Sequence, residues 1–272
     1  MTAALIKGLA YFGTVFLLGA GIYRYFIAPG AWKGRLLWGA GLGAGVLVVS
    51  SLADVVWRLT QVLGRFDPDL TFTYFVQTAG GRFTLLRVAL VLVTLVALRL
   101  PWRWPFVFVG LGVLYSFSAT SHAAVMDGAP ALVADLGHFV AASFWGGAVV
   151  YTALTWNALG TARLRALERV SRSGLGAVIL LSLTGVYASA LHLAAPDQLV
   201  STPYGLALSL KLMIVTIILG VAALNRWHFL PRLRANPQSH QDFGRILFVE
   251  ACLLLTVFAA TGLLSTSPLP HD

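Results

Sequence analysis

The chain has 272 residues, 58% of them hydrophobic and 11% charged, with a formal net charge of +9. That balance excludes an ordinary soluble domain, which would have to hide from water several apolar runs of roughly the 20 residues a helix needs to cross a bilayer. The single cysteine, Cys252, excludes an intrachain disulfide and a thiolate metal cluster.

The apolar runs predict an all-α polytopic membrane helix bundle of about eight transmembrane spans, at about 3–27, 36–60, 80–99, 104–121, 131–157, 168–194, 204–228 and 243–264. The first stretch, MTAALIKGLAYFGTVFLLGAG, lacks a basic leader and reads as a retained first span. Pro29-Gly30, Asp67-Pro68, Pro101, Gly128-Ala129-Pro130, Pro196, Pro203, Pro231 and Pro237 punctuate the breaks. The link after the fifth span is instead a basic run, with Arg163, Arg165, Arg169 and Arg172. No linker is long or polar enough to separate domains, so 1–272 reads as a single integral membrane domain.

The basic residues fall on every second connection. Arg24, Lys33 and Arg35 flank the first, Arg99 and Arg103 the third, the arginine run marks the fifth, and Arg226, Arg232, Arg234 and Arg245 flank the seventh. The positive-inside rule assigns these connections to the cytoplasm and both termini to the outside. Asp67, Asp69, Asp127 and Asp197 hold the opposite connections. The excess of positive charge is thus a topology signal, and nucleic acid is not an expected partner.

This orientation puts His122, His138 and His192 on the outer half, with Met126 in the adjoining loop. In the stretch from Ser121 to Trp156, Asp135, His138 and Trp145 share one helical face by their spacings of three and seven. Imidazole ligates copper and zinc, and a thioether favours copper(I). The candidate ligands are therefore His122, His138, His192 and Met126, with Asp135 orienting a ring and Trp145 nearby. His122 and His192 read equally well as interfacial histidines at span ends. His138 is an ionisable residue inside the membrane, where a functional site is the default reading.

Other charges lie within the spans. Asp54 and Arg87 match in depth and could pair or line a path, and Lys211 lies in the outer half of the seventh span. Glu250 is expected to clamp Arg226 as a structural ion pair. Thr78-Ala79-Gly80-Gly81 with Leu86-Arg87 echoes Thr202-Pro203-Tyr204-Gly205 with Leu210-Lys211, 124 residues later. As a parallel repeat, this would set Arg87 and Lys211 around one cavity. The chain has no P-loop, GxGxxG, HExxH or serine elbow, and no enzymatic role is expected. The residues alone leave copper, haem between His138 and His192, or docking to a periplasmic metalloprotein open.

SHAAVMDGAPALVADLGHFVAASFWGG, LTGVYASALHL, STPYGLALSLKLM, LNRWHFLPRLRANP and VEACLLLTVFAATGLL resemble, in order, the CopD copper-resistance family of bacterial inner membranes. The resemblance spans about 118–268. In 1–117, the four additional spans, only hydropathy and GRFTLLR are similar. The resemblance implies eight spans and copper handling at or across the inner membrane, often with a separate periplasmic CopC-like protein. It also implies that His122, His138 and His192 are the outer copper positions.

Overall fold

The computed structural model describes residues 1–30, 34–121, 128–236 and 240–268. Every regular element among them is helical. In chain order these are α1 (Thr2–Ile22), α2 (Gly34–Leu63), α3 (Pro68–Gln77), α4 (Ala79–Ala97), α5 (Arg103–Ser118), α6 (Gly128–Leu154), α7 (Arg163–His192), α8 (Gln198–Ser201), α9 (Pro203–Leu224), α10 (Leu230–Ala235) and α11 (His240–Leu264). Helices α1 and α9 each widen at their ends into a π-helical turn, Tyr23–Ile27 and Asn225–Phe229. Seven helices among the described residues are long and apolar enough to cross a bilayer. The expected fourth span is α5, whose 16 residues rise about 24 Å. Leucines and valines stand exposed along their flanks, as on Leu183 and Val186 of α7, where lipid covers them. The chain is a multi-pass membrane protein.

Helix α1 lies at the centre and packs against α2, α6 and α11. Inside lipid no hydrophobic force drives helices together, so close approach of backbones must supply the contact. A Cβ on Gly13 would stand 2.7 Å from the Leu47 nitrogen of α2, and one on Gly19 would stand 2.8 Å from the Gly147 Cα of α6. Both obstacles are backbone and cannot turn aside. The approach lets the fully buried Tyr151 of α6 donate its hydroxyl to the Phe16 carbonyl of α1 at 2.7 Å.

The two echoing stretches adopt the same local structure. Thr78 caps α4 by accepting from the Gly81 N–H at 3.0 Å, and Thr202 caps α9 by accepting from Gly205 at 3.0 Å. Each threonine hydroxyl also donates back to the short helix before it, to Tyr74 of α3 and to Gln198 of α8, at 2.8 Å in both. These two short helices are absent from the sequence reading. Asp67-Pro68, read there as a break, caps and opens α3, with Asp67 accepting from the Leu70 N–H at 3.0 Å. The packing repeats as well: α1 on α2 and α4 on α5 in one half, α6 on α7 and α9 on α11 in the other, with α1 against α6 between them.

Gly147→Val should destabilise the fold by about 1–3 kcal/mol, the usual range for overpacking. A lowered midpoint of thermal unfolding in detergent checks this, with Gly176→Val, whose Cβ meets open space, as the control.

Candidate metal site and its polar surroundings

His138 lies ten residues after Gly128, about 15 Å along α6. Its Nδ1 stands 2.9 Å from the Thr184 hydroxyl of α7. That hydroxyl has one proton, and it donates it to the Leu180 carbonyl at 2.7 Å. With that proton on the carbonyl, the Thr184 oxygen accepts from His138 Nδ1–H, the assignment adopted for the ring. In a neutral ring this leaves Nε2 as a bare lone pair, the form a metal ligand needs. Gly185 follows Thr184, and a Cβ there would reach the ring at 3.8 Å, ordinary contact.

Asp135 sits one turn nearer the start of α6. The Ser118 and Ser121 hydroxyls at the end of α5 face it, with Lys211 and His192 at longer range. Among the described residues no hydrogen bond closes on Asp135 Oδ2 or Ser118 Oγ, although both atoms are buried. Lys211, from α9, lies within electrostatic reach of both His138 and Asp135. An imidazole held by Thr184, an acid and a lysine thus lie within electrostatic reach of one another.

His192 closes α7, eight residues beyond Thr184 and about 12 Å along the axis. Its ring meets Tyr204 edge-on at 5.8 Å. His138, level with Thr184, and His192 are therefore staggered by about two turns of helix. His122 and Met126 lie outside the described residues. Among the described residues, no three histidine, cysteine, aspartate or glutamate side chains converge on one point.

Three expected placements differ. Asp54 does not pair with Arg87. It pairs with Arg58, one turn along the same helix, because a partner at i+4 needs no second helix. Arg87 turns to α5, donating to the Ser116 hydroxyl at 3.0 Å and carbonyl at 2.8 Å and lying 3.7 Å over the Phe117 ring. The carbonyl end of a helix and an aromatic face both suit a buried guanidinium. Glu250 does not pair with Arg226. It accepts from the Asn225 amide, while Arg226 donates to the Ser171 carbonyl and hydroxyl, both at 2.8 Å. Trp145 lies seven residues, about 10 Å, beyond His138. It lines a cavity with Asn225, Arg226 and Glu250, at the end of the bundle where the arginine-rich connections lie.

Several polar contributors escaped the sequence reading. Thr184 is one of several hydroxyls in its span and gave no spacing signal, because its partner is 46 residues away. Lys7 donates to the Ser265 carbonyl at 2.9 Å, joining α1 to the end of α11. Tyr11 packs on Phe117 and on Phe139, the neighbour of His138, with ring centroids 5.9 and 5.6 Å away. It thereby links the surroundings of Arg87 to those of His138.

With this geometry in place, comparison with known families gives two matches. Residues 1–133 match the copper resistance protein D-like N-terminal domain, and residues 164–264 match copper resistance protein D. The chain belongs to the CopD copper resistance family. The N-terminal match covers the first four helical spans, where the sequence resemblance rests on hydropathy and the GRFTLLR segment alone. His138 and Asp135 fall between the two matched segments, while His192 lies within the second and His122 and Met126 within the first. No curated protein and no solved structure matches the chain.

Thr184→Val should remove the acceptor that orients His138 and weaken copper binding by about 10–100-fold, the usual effect of losing such a partner. Thr184→Ser should retain it. A titration of copper affinity on the three purified proteins checks both.

Proposed function

We propose that this CopD-family protein binds copper ions at His138 on the periplasmic half of the bacterial inner membrane and moves them across it. The observation that carries this reading is the hydrogen bond between His138 Nδ1 and the Thr184 hydroxyl, which engages Nδ1 and leaves Nε2 as the ring nitrogen for a metal. The positive-inside bias puts the start of α6 on the periplasmic side. His122, His192 and Met126 are the further ligands we propose, with His192 as an outer stage of the path and His138 as its deepest member. Copper is the cargo of the protein.

Asp135 and Lys211 set the local charge. A carboxylate one turn from the imidazole favours a bound cation, and the ammonium beside it opposes one. Their balance suits a site that must release its ion as well as hold it. Delivery by a periplasmic CopC-like protein, and inward net movement, follow from the family resemblance.

The test is copper stoichiometry on purified wild type and His138→Ala, with a visible absorption spectrum of the same samples. About one copper per chain in wild type, lost in the variant, is the expected result. Equal copper in both would remove His138 from the site. Negligible copper with a Soret band after haem-replete expression would replace the reading with haem, and negligible copper without one would leave a docking role.

A further inference from the structure

The cavity at the arginine end has no part in the copper site. Its volume is about 270 Å³, and α6, α7, α9, the π turn after α9, α10 and α11 wall it. Most of the wall is apolar, with Val178, Leu219 and Leu247 typical of it. Two buried polar side chains stand in that wall, Glu250 at 4% exposure and Asn225 at 7%. Asn225 Nδ2 donates to one Glu250 oxygen, and Asn225 Oδ1 has no hydrogen-bond partner among the described residues.

Among the described residues no cation closes on Glu250. Among the described residues Arg226 is the only other charged one in the lining, and its guanidinium is committed to Ser171. Towards the cavity α6 presents Trp145, α7 presents Ser171 with apolar neighbours, and α9, α10 and α11 present only apolar side chains besides Glu250. An ionised carboxylate here would be an unpaired charge at membrane depth, the arrangement that buried sites avoid.

The orphaned amide oxygen fits the other state. An ionised carboxylate only accepts, so it takes the Asn225 N–H and leaves Oδ1 empty. A carboxylic acid has one O–H to give. It can donate that proton to Oδ1 while its carbonyl oxygen accepts from Nδ2, so both edges of the amide are matched. Asn225 opens a π-helical turn, Asn225–Phe229, a geometry frequent at functional sites.

We propose that Glu250 is a proton-binding site, its carboxylic acid paired edge to edge with the Asn225 amide and exchanging its proton through this cavity with the arginine-rich side of the membrane. The step is the addition or loss of one proton at a Glu250 oxygen, with water as the other partner. No other bond changes. The site stands on its own geometry, and only its use, to let a proton move as copper moves, rests on the reading above.

The experiment is a pH titration by infrared difference spectroscopy on copper-free protein in lipid nanodiscs, comparing wild type, Glu250→Gln and Asn225→Leu. Wild type should show a protonated-carboxyl C=O band that titrates, wholly absent from Glu250→Gln. In Asn225→Leu the band should remain but shift in frequency, since both hydrogen bonds are gone. Wild-type and Glu250→Gln spectra that superimpose at every pH would overturn the proton site. A band unmoved by Asn225→Leu would overturn the acid–amide pairing. Because no copper is present, neither result depends on the copper site.

Discussion

The bundle depends on the contact of backbone with backbone along α1. In lipid, apolar side chains gain nothing by leaving one hydrocarbon environment for another, so helices associate where small residues let main chains touch. Gly13 meets α2 in this way, and Gly19 meets Gly147 of α6. The second crossing fixes α6, and with it the height at which His138 faces Thr184 of α7. The Tyr151–Phe16 hydrogen bond across the same crossing is possible only at that separation.

Polar groups inside this frame follow a common rule. Four of the charged ones take a partner that their packing offers, and in three of the four it is a hydroxyl, amide or carbonyl rather than an opposite charge. Asp54 finds Arg58 a turn away, Arg87 finds the carbonyl end of α5, Arg226 finds Ser171, and Glu250 finds Asn225. Ion pairs between helices need two long side chains to meet at one depth and angle, and a backbone carbonyl on an adjacent helix sets a lower demand. What this leaves is two polar regions at opposite ends of the bundle. One gathers His138, Asp135, Lys211 and His192. The other holds Glu250 and Asn225 beside a cavity.

The paired halves give these regions an origin in the architecture. Two similar four-span units, each with a threonine-capped inward helix after a short surface helix, meet at α1 and α6. The family matches fall one on each unit. Arg87 and Lys211 occupy corresponding places in α4 and α9, yet their roles have diverged. Arg87 is locked onto α5, whereas Lys211 lies beside Asp135 and His138 without a hydrogen bond to a described residue.

How much was legible in the sequence divides along a physical line. Class, helical content and most span positions follow from the length of apolar runs and from proline and glycine at their breaks, because these are one-dimensional requirements of a bilayer. The family, and His138 as an ionisable residue out of place in an apolar helix, were also readable there. Partners were not, since a side chain's partner is set by which helix lies beside it and at what rotation. Trp145 shares a face with His138 by spacing, yet it serves a different cavity, because a face seven residues long passes two neighbouring sites. Thr184, which holds the ring of His138, and Asn225, which meets Glu250, became visible only once α7 lay against α6 and α9 against α11.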